Sequence, residues 1–274
     1  MPRFDAAARR DGPLNGPRSL LGPALAVLVT VLVTVSAGCA TLGNTEPTPM
    51  PPGVSGAASD QMVLRWRRTG GIAGRGHGGE MPDFSLYGDG RAIVPGDDPI
   101  EPREYRLTPP ALRGLLDGAR AAGLGRSRTA ERDDVADAFT LEITFGRAVT
   151  RVEHPEDSPG DPAVRFWKRL APAGWAAGDQ AAPPQPYAFP RLAILSGETA
   201  DEGGRSWPLV PLGAGTRLPG GLCSVVTGRD LPRAVALART AAPETRWRSE
   251  GRTYSVRWRP MLPGETTCAD LGRR

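Results

Sequence analysis

Three times in this chain, short runs that alternate apolar and polar residues face one another across a turn containing glycine. Phe84 and Leu86 alternate with Asp83, Ser85 and Tyr87, Gly88-Asp89-Gly90 supplies the turn, and Ile93 and Val94 lie on the return. Residues 138–145 and 148–152 flank Gly146-Arg147, and residues 245–248 and 254–259 flank Glu250-Gly251. Period-two alternation around turn residues is the mark of a β-hairpin. The chain is therefore expected to build antiparallel sheets, with Val63, Leu64 and Trp66 marking a further strand and residues 192–195 and 222–227 two buried ones. Residues 207–210 are expected to add another.

Helices fall between these runs. Thr108 can cap the orphan amides of a helix that has Pro109 at its first position, and Gly123 ends it. Leu112, Leu115, Leu116 and Ala119 form its apolar stripe, and the four-residue spacing of Gly114 and Gly118 predicts close packing on a sheet. A short helix over 162–170 presents Val164, Trp167 and Leu170. Asp230 is placed to cap a third, with Leu231, Val235, Leu237 and Ala238 facing a core. Helices beside antiparallel sheets define an α+β fold. The spans 62–153 and 192–259 repeat the same coarse strand–helix–hairpin order, which predicts two similar small subdomains. Residues 62–170 form the N-terminal one and 191–274 the C-terminal one. Residues 171–190, rich in Ala, Pro and Gly, read as a linker or long loop.

The start of the chain has a different character. Arg3, Arg9, Arg10 and Arg18 precede an apolar run over 20–35, which ends in Ser36-Ala37-Gly38-Cys39. Basic region, apolar stretch and small residues before a cysteine form a secretory signal and resemble a bacterial lipobox, departing from it at Ser36. The run falls short of the roughly 20 residues that a spanning helix needs. Residues 1–38 are therefore expected to be a lipoprotein signal peptide. Cys39 is the expected lipid attachment, carrying palmitate or a similar acyl chain, and 39–61 a disordered tether. This predicts a lipid-anchored protein on the extracytoplasmic face of the cell membrane, with membrane lipid as one partner and an envelope protein or glycan as another.

Charge adds little. The formal net charge is +4, and four Arg and two Asp within residues 1–38 leave +2 on the rest. Of the 34 basic residues only Lys168 is lysine, a coding bias rather than a basic stripe, so no nucleic-acid partner is expected. Of the three cysteines, Cys223 and Cys268 remain once Cys39 is assigned to lipid. In an exported chain they are expected to form a disulfide, worth roughly 3–4 kcal/mol by loop-closure entropy.

No reaction centre is legible. Ser85, Ser196, Ser224 and Ser255 lie in no nucleophile motif, and His154 reads as a strand-end residue. His77, among the glycines of 69–79, offers either a ligand loop or an ordinary surface loop. Asp133, Asp134 and Asp137 could hold a hard cation such as calcium, or could cap a turn and pair with Arg126, Arg128 and Arg132. Trp247 and Trp258, each flanked by arginines, form either an aromatic binding face or core residues between water-facing arginines. No catalytic residue and no cofactor are assigned, and the presence of a metal is left open.

The stretches Phe84-Ser-Leu-Tyr-Gly-Asp-Gly, Thr108-Pro with its following helix, and Arg259-Pro-Met-Leu-Pro-Gly-Glu before Cys268 resemble a family of uncharacterised actinobacterial lipoproteins across residues 62–268. The resemblance implies fold and location, not mechanism. The expectation is a non-catalytic cell-envelope lipoprotein with a binding or scaffold role. The alternative is a cell-envelope hydrolase with dispersed catalytic residues.

Overall fold

The computed structural model describes residues 60–71, 79–131 and 139–271. Its first eight strands are β1 (Met62–Gly70), β2 (Phe84–Tyr87), β3 (Arg91–Val94), β4 (Arg103–Leu107), β5 (Arg128–Ala130), β6 (Phe139–Phe145), β7 (Ala148–Glu153) and β8 (Gln180–Pro186). They form one sheet in the order β5-β7-β6-β1-β2-β3-β4-β8. The second sheet has the order β10-β13-β14-β9-β12-β11. Its members are β9 (Arg191–Thr199), β10 (Arg205–Ser206), β11 (Thr216–Leu218), β12 (Gly221–Thr227), β13 (Arg246–Ser249) and β14 (Arg252–Pro260). Neighbours are antiparallel except β5 with β7 and β10 with β13, which are parallel. Helices α1 (Pro109–Ala121), α2 (Pro162–Trp167), α3 (Leu231–Thr240) and α4 (Cys268–Leu271) pack on the sheets. The fold is thus mixed α+β with two sheets, which differ from each other in strand number and order.

Alternation decides which face each sheet buries. Leu64, Phe84, Leu86, Leu141, Ile143 and Phe145 point to one side of the first sheet. There they meet Leu112, Leu115, Leu116 and Ala119 of α1 and Val164 and Phe166 of α2. Burying each large side chain stabilises the fold by about 1.5–3 kcal/mol. The Thr108 hydroxyl accepts the Ala111 amide (3.4 Å) at the start of α1. At its end Gly123 takes φ +77°, and the amides of Gly123 and Leu124 return to the carbonyls of Arg120 and Ala119. Left-handed backbone of this kind suits glycine, which has no Cβ to clash. In the second sheet Leu192, Ile194, Trp247, Tyr254 and Val256 face Ala234 and Ala238 of α3.

Several local expectations change. A Cβ on Gly118 would lie 2.9 Å from Arg169 Nη1 and 3.4 Å from the Phe166 ring, so this glycine admits the α2 region rather than a sheet; Gly114 faces open space. Two short turns, Pro172–Gly174 and Ala177–Asp179, lead from α2 into β8, which pairs with β4. Beyond Gln180, β8 is exposed at every position, so it carries no alternation and reads as linker. Its prolines are tolerated because an edge strand need not donate from every residue. Residues 207–210 are not a strand; the Trp207 indole N–H instead donates to the Val210 carbonyl (2.8 Å). Asp230 makes no side-chain cap, because the turn Gly228–Asp230 precedes α3 directly.

Residues 1–59, which hold the expected signal peptide, Cys39 and most of the tether, lie outside the described residues. Among the described residues no helix is long and apolar enough to cross a membrane. The expected cell-membrane location therefore gains nothing from the folded part of the chain. The signal for it is a linear pattern in residues that lie outside the described ones.

The two sheets meet along the face of the first that α1 leaves uncovered. Tyr87 and Ile93 pack there with Tyr187 and Leu262. The buried Tyr187 hydroxyl donates to the Met261 carbonyl (3.1 Å). Ile100, on the β3–β4 connection, inserts into the second core, and beside it Glu101 pairs with Arg239 of α3 (3.1 Å). Cys223 of β12 and Cys268 of α4 are joined by a disulfide, with Cα atoms 5.9 Å apart. It ties the segment after β14 to the second sheet.

Candidate binding cleft

Where β1 and β14 approach each other, a cleft of about 370 Å³ opens between the sheets. Arg67 and Arg68 form one wall, Arg257 and Trp258 the other, and the segment from Gly79 to Asp83 runs along it. Gly79 sits here because Leu195 of β9 leaves no room for more: a Cβ would lie 2.9 Å from its Cδ1, on a backbone with φ +97°.

The arginines of this region are used unequally. Arg259 is buried and paired through its terminal nitrogens: Nη1 and Nη2 reach the two Glu265 oxygens at 2.5 and 2.8 Å, and Nη1 also reaches the Pro260 carbonyl. Arg257 meets Glu80 at 3.2 Å across the cleft, with both side chains well exposed. Arg68 pairs with Glu156 at 3.2 Å and lies 5.1 Å from the centre of the Trp167 ring, while its backbone N–H donates to Asp83. Arg67 is different. Its cross-strand neighbour is Glu142, but that carboxylate is taken by Arg151 at 2.8 Å. Among the described residues the buried Nε of Arg67 has no hydrogen-bond partner, as is also true of the Nε of Arg68 and Arg259, but Arg67 alone of the three makes no ion pair there either. Arg65, on the same face of β1, has its pKa lowered by burial first and by Arg67 second. Positive charge is therefore crowded along this face.

On the opposite wall Trp258 stacks on Trp207, with centroids 5.7 Å apart and planes 28° apart. Trp207 in turn meets Trp247 edge-on at 5.1 Å. Trp247 is buried in the second core under Arg205. Of the two tryptophans singled out in the sequence, Trp258 alone lines the cleft.

The other candidates are placed as follows. His77, Asp133, Asp134 and Asp137 lie outside the described residues, as does Cys39. His154 is buried with φ +51° at the end of β7, its Nδ1 3.9 Å from Asp157 Oδ2. Ser85 is fully buried, and the Ser255 hydroxyl donates to the Gly197 carbonyl at 3.3 Å. Among the described residues no group of three or more His, Cys, Asp or Glu side chains could hold a metal ion. Arg67 and Glu80 escaped the sequence reading. The only trace of Arg67 there is the alternation of Arg65 and Arg67 with Leu64 and Trp66, and nothing local distinguishes a cleft arginine from a water-facing one.

No protein-family model, curated protein or solved structure matches this chain. No relative therefore supplies a lipoprotein signal, an acyl anchor or a membrane location. The reading as a signal-bearing, palmitate-carrying lipoprotein at the extracytoplasmic face of the cell membrane is corrected and withdrawn.

Proposed function

We propose that this protein is a binding protein, and that its ligand is an anion held in the cleft between the two sheets. The observation that carries this reading is Arg67. It is a guanidinium on the cleft wall that, among the described residues, has no ion pair and no hydrogen-bond partner for its buried Nε, beside a cross-strand carboxylate already paired with Arg151. A buried donor left unpaired costs about 1–3 kcal/mol, and an entering carboxylate or phosphate would remove that cost with a charge-assisted bond. Arg257, in an exposed pair with Glu80, supplies a second cation from the opposite sheet. Trp258 offers an apolar surface beside the charges.

The test is an NMR titration of the arginine Nε–Hε signals with inorganic phosphate and with citrate. Saturable shifts at Arg67 and Arg257, weakened about tenfold or more in Arg67→Gln, are the expected result. Equal shifts at all exposed arginines, unchanged in that variant, would overturn the reading.

A further inference from the structure

The cleft holds more arginines than unbalanced positive charge. Of the four that line it among the described residues, Arg68 is paired with Glu156, Arg257 with Glu80 and Arg259 with Glu265. Arg67 alone has no ion pair there, because Arg151 takes Glu142. Two carboxylates also belong to the wall. Glu80 meets Arg257 at 3.2 Å, and Asp83 accepts the backbone N–H of Arg68 at 2.8 Å. One unbalanced guanidinium therefore remains to draw a ligand's charge. A second negative charge on the same ligand would meet Glu80 and Asp83, and like charges brought together in a binding site are strongly disfavoured.

Between these charges the lining is apolar. Met81 precedes β2, Pro95 and Pro99 lie on the β3–β4 connection, Leu195 belongs to β9 and Pro260 ends β14. Their side chains offer neither a charge nor a strong hydrogen bond. A space of about 370 Å³ lies in the range of small-molecule sites, roughly 300–1,000 Å³. The Glu80–Arg257 pair is exposed on both sides, 37% and 55%, and exposed pairs add little to stability. Removing the Glu80 charge therefore leaves the fold intact while it unmasks the charge of Arg257.

We propose that the cleft selects an organic anion with a single negative charge and an apolar body, an aryl- or alkyl-carboxylate, and that Glu80 sets this selectivity by balancing Arg257. The inference rests on the reading of the cleft as an anion site. The ligand carboxylate pairs with the Arg67 guanidinium. Its apolar body lies against Met81, Leu195 and the prolines and gains affinity from the area removed from water. Arg257 lends donors, but its charge is already met. A polyanion thus gains no second ion pair there and is repelled by the carboxylate that occupies it.

The probes are 4-phenylbutyrate, acetate and citrate, each titrated at pH 7 against the Arg67 Nε–Hε signal of the full chain. Phenylbutyrate is expected to saturate at concentrations about tenfold or more below those of acetate, because its ring is buried, and below those of citrate. Glu80→Gln should tighten citrate about tenfold or more and phenylbutyrate by clearly less, so that the preference narrows or reverses. Citrate as the tightest ligand of the natural protein would overturn the proposal, as would phenylbutyrate no tighter than acetate. So would a Glu80→Gln variant that tightens both ligands equally, because Glu80 would then screen charge without selecting. These outcomes leave the anion site standing. The absence of a saturable Arg67 shift with every probe in both proteins would remove the anion site itself, and this inference with it.

Discussion

Arg259 and Glu265 form a two-pronged ion pair where the segment after β14 folds back toward the first sheet, with N–O distances of 2.5 and 2.8 Å. Arg259 is 4% exposed, and a Glu265 oxygen also accepts the Leu262 amide at 2.6 Å. Removing one charge from a buried pair strands the other, at about 3–5 kcal/mol. Glu265→Gln keeps the shape and an acceptor for Leu262 but leaves Arg259 uncompensated. It is expected to lose about 3 kcal/mol in urea unfolding. Combining it with Arg259→Met should cost less than the two single losses added together, and simple additivity would show that the pair is not coupled.

The disulfide bounds the same segment from its far end. Cys223 and Cys268 are separated by 45 residues, and closing such a loop removes about 4 kcal/mol of unfolded-chain entropy. Cys223→Ser with Cys268→Ser is expected to lower the urea midpoint accordingly, and a reducing agent should reproduce the loss in the natural chain. An unchanged midpoint in both would mean that the fold gains nothing from the bond.

Burial pushes the Tyr187 hydroxyl up to about 12. It pushes the neighbouring Tyr87 upward as well. A raised phenol favours the neutral form in the fold. The stabilisation is whole below pH 10, the ordinary value, and is lost as pH climbs from 10 toward 12. Ultraviolet titration should show tyrosines ionising late, together with unfolding. Tyr187→Phe should remove the late phase that belongs to Tyr187 and, by stranding the Met261 carbonyl, cost about 1 kcal/mol.

Asp270 behaves in the opposite sense. Its carboxylate accepts the amides of Thr266 and Thr267 at 2.9 and 2.8 Å and both their hydroxyls. These bonds, the amides first, hold its pKa down at about 2. The contribution is present above the ordinary value near 4 and disappears as pH falls toward 2. Carbon-detected NMR should find the Asp270 carboxyl still ionised at pH 3. Asp270→Asn should flatten that part of the acid stability profile.

Much of the fold was legible because it is local. The hairpin β2–β3 follows from alternation around Gly88-Asp89-Gly90, and α1 from Thr108, Pro109, four apolar residues and Gly123. Strands without alternation escaped: β8 is solvent-facing beyond Gln180, and β5 and β11 are three residues each. Of the candidate site, the sequence offered Trp258 but could not separate it from Trp247, since both sit between arginines on short strands. Their fates differ because Trp247 packs inside the second core, while Trp258 lies where β14 passes beyond β13 and meets the other sheet.

What the sequence by itself determined is the set of short elements, their faces and their caps, each fixed by side chains within a few residues of one another. Tertiary structure alone decided that Arg151 takes Glu142 away from Arg67, that Glu80 spans to Arg257, and that β12 stops short of Glu198. Those relations join residues far apart in the chain. They depend on register and on which partner arrives first at a charge or a strand edge, and no local pattern encodes that competition.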